Sequence, residues 1–140
     1  MNDSTAKQIF DNLNLKEGQI IPASKNGQLL NYIFGTNYKE WMKARWFFKD
    51  GLIAWMGYID GKIRKGWKNY EIGNTIVEEN VYKRTEYDNH SINALLITEP
   101  YRIVFMKSFY NGKNCFVVKG VYKTDIEKSN AQTLHFYNKI

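Results

Sequence analysis

Cysteine is almost missing from this 140-residue sequence: Cys115 stands alone, so no intramolecular disulfide can form. Histidine is nearly as scarce. His90 and His135 lie far apart in the chain, and with a single cysteine they do not give zinc-ligand spacing. Neither is followed by the second residue of a paired-histidine phosphodiesterase motif, and there is no Walker-type glycine loop to cradle a phosphate. No apolar run approaches the roughly 20 residues needed to cross a bilayer. The start, MNDSTAKQIF, lacks the basic-then-apolar build of a signal peptide. The simplest expectation is a soluble, cytoplasmic protein with no membrane partner and no cofactor. Low-complexity linkers and long-period repeats are missing too. One domain over residues 1–140 is therefore expected, long enough to bury a core without staples.

What is abundant is aromatic and basic. Four Trp, ten Tyr and eight Phe make up 16% of the chain, and hydrophobic residues make up 44%. A disordered chain is poorer in both. Aromatics suit a pleated, half-buried surface, and they also serve as stacking platforms, so they favour strands without choosing a function. The net charge is +6. It favours polyanionic partners through the field around the protein, although a coding bias toward Lys and Asn produces the same excess.

The pattern changes along the chain. STAKQIFDNLNLKEG reads as a short helix capped by Ser4 and released at Gly18, with Ile9, Phe10 and Leu13 on one face. Residues 26–35 read as a second helix, with Leu29, Leu30, Ile33 and Phe34 on its apolar side and Gly35 as its stop, extending weakly through NYKEW. From residue 42 the period becomes two. MKARWFFK alternates, Met42, Ala44, Trp46 and Phe48 against Lys43, Arg45, Phe47 and Lys49. Asp50-Gly51, Asp60-Gly61 and Asn111-Gly112 each sit between β-type runs and signal hairpins with positive φ at both turn residues. KIRKGWKNYEI, between Asp60-Gly61 and Gly73-Asn74, reads as one strand. Residues 75–84 fit a strand or a short helix, TEYDNHSIN a polar loop, and TLHFYNKI a last strand reached through DIEKSNAQ. The expected class is α+β. A helical part over 1–35 precedes a β-rich core over 42–140, a mainly antiparallel meander curled into a small barrel or bent sheet, which also protects its edges.

Candidate chemistry is thin. Cys115 with a histidine is a conceivable nucleophile and base, but a lone cysteine in a strand is ordinarily a small packed residue. His135 alternates with Leu134 and Phe136 and is expected to face solvent or a partner strand. Asp50, Asp60 and Lys62 superficially match a metal-dependent nuclease. Both aspartates precede glycine in turns, however, and turn chemistry explains them. No Glu is followed two places later by Lys.

The segment YIDGKIRKGWKNYEI concentrates charge and rings. On a single strand, Lys62, Arg64, Lys68 and Tyr70 share one face about Gly66, opposite Ile63, Lys65 and Trp67. Such a face is either a solvated strand surface or a place for a phosphate or a base. Lys43 and Arg45 extend it across the neighbouring strands. The candidate nucleic-acid-binding residues are therefore Lys43, Arg45, Lys62, Arg64, Lys65 and Lys68. Trp41, Trp46, Trp55 and Trp67 crowd one stretch, either as core or as walls of a pocket where a flat ring stacks.

WMGYIDGKIRKGWKN followed by RIVFMKSFYNGKNCFVVKGVYKTD resembles the curved-sheet modules of bacterial modification-sensing and restriction proteins, the PUA-like group that includes SRA-type readers of modified DNA bases. The likeness covers roughly residues 20–140. It implies a base flipped into an aromatic-lined pocket and read by a polar residue and backbone groups. Trp41, Trp46, Trp55, Tyr58, Asp60 and Trp67 are then pocket candidates, but no residue stands out as the pocket acid. No nuclease accompanies the module within these residues, so it is expected to act through a partner or as an inhibitor. Three readings follow: a non-catalytic module binding DNA or RNA, a protein-interaction or inhibitor module acting on a bacterial or phage enzyme, and a metal-dependent nuclease.

Overall fold

The computed structural model describes residues 1–82, 98–130 and 134–140. The TEYDNHSIN loop and His90 lie outside them. Helix α1 (Asp3–Asn12) begins earlier than Ser4 would have it: Asn2 is the cap, its side-chain oxygen accepting from the Thr5 amide at 2.8 Å. It also ends before Gly18, with Asn14 taking a left-handed turn at φ 59°. After the short strand β1 (Ile20–Ile21), helix α2 (Asn26–Phe34) stops at Gly35, whose φ of 69° makes the expected left-handed exit. The NYKEW segment is not helical.

The β-rich part then runs through β2 (Arg45–Lys49), β3 (Leu52–Gly57), β4 (Ile63–Arg64), β5 (Trp67–Ile72), β6 (Thr75–Asn80), β7 (Tyr101–Tyr110), β8 (Lys113–Thr124) and β9 (Leu134–Lys139). Among the described residues, two helices with a curled, antiparallel-rich sheet make the α+β class expected. Among the described residues the main path of the sheet is β2-β3-β7-β8-β9-β6-β5-β4, with β1 added alongside β8.

Three details depart from a simple run of hairpins. Asp50-Gly51 joins β2 to β3, but only Gly51 has positive φ, because the ladder shifts register between Phe47 and Lys49. Asp60-Gly61 does not pair β3 with the next strand. Instead β3 pairs in parallel with β7, and the chain in between crosses to the far edge of the sheet. Residues 62–72 are two strands, split by a Lys65-Gly66 turn with φ of 50° and 83°. Asn111-Gly112, with φ of 51° and 76°, closes β7–β8 as expected.

Side-chain alternation divides the sheet. Leu52, Ala54 and Met56 of β3 and Ile103 and Phe105 of β7 face one way, packing with Ala6, Phe10, Leu29 and Leu30 of the helices. Trp55, Val104, Tyr122, Ile76 and Tyr137 form a second, smaller cluster on the other side. Helices thus cover one face of the central strands, and the opposite face is left to line the inside of the curl.

Candidate functional site

The inside of the curl holds a cleft of about 790 Å³, a size typical of small-molecule sites. Strand register assembles it. Arg45 faces Trp55 across β2–β3, Ile53 faces Arg102 across β3–β7, and Glu78 faces His135 across β6–β9. At the other edge Asn69 faces Glu78 across β5–β6, and Arg64 faces Trp67 across the Lys65-Gly66 turn. All of these line the cleft.

The floor is charged and nearly dry. Trp55 is 2% exposed and donates Nε1–H to Oε2 of Glu78 at 3.2 Å. The other Glu78 oxygen accepts from Nη1 of Arg102 at 3.2 Å. The Arg102 guanidinium lies 3.5 Å from the centroid of the Tyr137 ring. Beside it Arg45 is paired with Glu99. Buried charges persist only when paired in this way. Burial lowers the pKa of Arg45, and the nearby Arg102 adds to the effect. Burial pushes the Tyr137 hydroxyl well above the usual phenol range.

Several polar atoms of cleft residues are buried without a hydrogen-bond partner among the described residues: Nε of Arg45 and of Arg102, Nε1 of Trp41, and Oδ1 of Asn26 and of Asn69. Unsatisfied buried groups are rare in native proteins and call for an explanation. All five belong to residues that line the one cleft. Trp67 forms a half-buried wall, its ring centroid 5.9 Å from that of His135.

Of the residues singled out by sequence, Trp41, Lys43, Arg45, Trp55, Tyr58, Lys62, Arg64, Lys65 and Trp67 lie on the cleft. The other three do not. Trp46 packs on the helix side against Phe34 and Phe48, and its Nε1–H donates to the Tyr38 hydroxyl. Lys68 faces Ile63 on the outer side, because the Lys65-Gly66 turn reverses the chain between Arg64 and Lys68. Lys62, Arg64, Lys68 and Tyr70 therefore do not share one face. Asp60 holds Arg64 with both oxygens, each at 2.6 Å, and also accepts from the Lys62 amide. The hydrogen bond from Arg64 lowers its carboxyl pKa to about 2.

Sequence reasoning missed Asn69, Glu78, Arg102, Lys107 and Tyr137, all on the cleft. One readable signal was Arg102, a charged residue within the apolar run YRIVF. Of the two settings expected for His135, solvent or a partner strand, it takes the second: it is 5% exposed, opposite Glu78 of β6 and beside Trp67. Among the described residues no three His, Cys, Asp or Glu converge on a common metal position, and no helix is long and apolar enough to cross a membrane.

No curated protein matches the sequence. Among solved structures, the 5-hydroxymethylcytosine-specific restriction enzyme AbaSI superposes with a TM-score of 0.69 at 17% identity. The match covers all of this chain and 45% of that one, a likeness of fold over less than half of the enzyme. The family model of the SET and RING associated domain matches residues 18–140. A curled sheet with a polar-floored cleft is thus joined to a match over most of the sequence, and the chain belongs to the SRA domain family.

Proposed function

We propose that this chain is a DNA-binding module that reads a modified cytosine turned out of the duplex into the cleft, without catalysis of its own. SRA domains bind DNA, and the structure sharing this fold is named for 5-hydroxymethylcytosine. The observation that carries the reading is the cleft in which the Trp67 wall stands with Glu78, Arg102 and Asn69. A flipped pyrimidine offers a π-face to stack and an edge mixing an amine donor with acceptors. Glu78 is the acid that sequence alone could not pick out. Its oxygens already accept from Trp55 and Arg102, but each carboxylate oxygen has a second lone pair. One of these suits the exocyclic amine of cytosine, and it would repel the carbonyl that thymine carries at that position. Asn69 Oδ1 would accept the second amine hydrogen, and Arg102 would donate to a ring acceptor. The setting that follows is cytoplasmic modification sensing or restriction.

The test is fluorescence anisotropy with duplexes carrying cytosine, 5-methylcytosine or 5-hydroxymethylcytosine at one position, at two salt concentrations. Salt-sensitive binding that favours a modified duplex is expected. Trp67→Ala should weaken it by about five- to 100-fold, the worth of one base stack. Equal affinity for all three duplexes would remove the base-reading claim. No binding at low salt would remove DNA as the ligand and favour a protein partner.

A further inference from the structure

The rim of the cleft around Tyr58 carries Lys62, Arg64, Lys65 and Lys107, with Asp60 as the adjacent acid. Asp60 is already committed, gripping Arg64 through both carboxylate oxygens. The Arg64 guanidinium also lies flat enough to sit 3.8 Å from the Tyr58 ring centroid. Two of its donors are thereby used, and its charge is largely neutralised. Lys107 has no such partner among the described residues. It is half-buried, and its ammonium approaches the same Tyr58 ring at 5.4 Å. Burial lowers its pKa, and Arg64 and Lys65 add to that. A partly desolvated ammonium beside Lys65, without a carboxylate of its own among the described residues, is unfavourable in the free protein. An arriving anion relieves it.

We propose that Lys107, Lys65 and the Tyr58 hydroxyl form a binding site for a single phosphodiester at the mouth of the cleft. Three separate segments build it: β7, the Lys65-Gly66 turn and the residue following β3. It is therefore not a run of surface lysines. Lys107 and Lys65 would each donate to a phosphate oxygen with charge assistance, and Tyr58 would add a neutral donor. The identity of the anion as a DNA phosphate rests on the DNA reading above; the anion site itself does not.

Two arms separate these claims. In the free protein, lysine-amine and aromatic NMR signals are followed while inorganic phosphate replaces chloride at constant ionic strength. Shifts at Lys107, Lys65 and Tyr58 are expected in the parent protein, with those at Lys65 and Tyr58 lost in Lys107→Gln and kept in Lys107→Arg. Unmoved signals in the parent protein overturn the proposal. In the second arm, binding is measured to duplexes carrying one neutral methylphosphonate at successive positions. One position should weaken the parent protein by about tenfold, the scale of one charge-assisted contact, and cost nothing further in Lys107→Gln. If every position weakens Lys107→Gln as much as the parent, Lys107 holds no phosphate and the proposal fails. Phosphate shifts without any DNA binding would keep the anion site and reject the DNA reading.

Discussion

Gly66 is the residue at which one methyl group does the most local harm. Its φ of 83° disfavours any other side chain, and an added Cβ would sit 2.5 Å from the Tyr82 ring. Gly35 has a similar φ of 69° with nothing within 4 Å. Gly35→Ala should therefore cost about 1 kcal/mol, the left-handed penalty alone. Gly66→Ala should cost about 2–3 kcal/mol, because the clash adds to that penalty. Urea denaturation of both variants checks this; equal losses would mean that Tyr82 moves aside freely. Arg102 poses the opposite problem. Its removal leaves Glu78 in a dry floor without its cation. Arg102→Met should destabilise by about 3–5 kcal/mol, and adding Glu78→Gln should recover part of it. Additive losses in the double variant would show that the two charges are not coupled. At Asp60 the folded carboxyl pKa of about 2 lies below the ordinary 3.8. The stabilisation from its pairing with Arg64 is thus fully present above the ordinary value and is lost as pH falls through about 2. The pair is more than a third exposed, so solvent screening keeps its worth small. An NMR titration of the Asp60 carboxyl with a midpoint near 3.8 would refute the bidentate grip.

Among the elements, the Lys65-Gly66 hairpin is where stability and the proposed binding would conflict. Both turn positions have positive φ. Asn is the preferred residue at the first of them, and Lys is not. A local rule broken in this way is expected at a functional position. Lys65→Asn should raise stability by about 0.5 kcal/mol while weakening DNA binding and flattening its salt dependence. A variant both more stable and equally tight would show that Lys65 does not touch the ligand. Strand β3 shows how an element's place in the sheet is encoded. LIAWM is apolar without alternation, and Leu52 to Met56 are all buried. A continuous apolar run signals a strand covered on both faces, as parallel neighbours usually are. Edge strand β2 alternates instead, because only one of its faces meets the core.

For the whole molecule, charge and curvature act together. The net charge of +6 is spread over the surface, but the curl collects Lys43, Lys62, Lys65 and Lys107 around one opening. If these four meet phosphates, log affinity should fall with log salt at a slope of about −3 to −4. Lys62→Glu should flatten that slope, and Lys68→Glu, on the outer side of the hairpin, should leave it nearly unchanged. Equal effects of the two reversals would indicate general attraction to the net charge and no localised rim.

From sequence alone, local physics was decisive. Period-two alternation marked β2, Asn111-Gly112 and Gly35 marked a hairpin and a helix end, and basic and aromatic residues from 41 to 67 marked much of the lining. These are properties of a residue and its near neighbours, so they survive without the fold. Tertiary structure decided what depends on pairing between distant segments. The parallel β3–β7 ladder, the turning away of Lys68 and the sending of Trp46 to the helix side follow from which strands meet. Glu78 and Tyr137 are unremarkable in sequence, and Arg102 shows only as a charge within an apolar run. They become a site only where β6, β7 and β9 bring one carboxylate, one guanidinium and one ring within 3.5 Å contacts in a water-poor floor. Low dielectric makes such a cluster matter, and only the curl of the sheet supplies it.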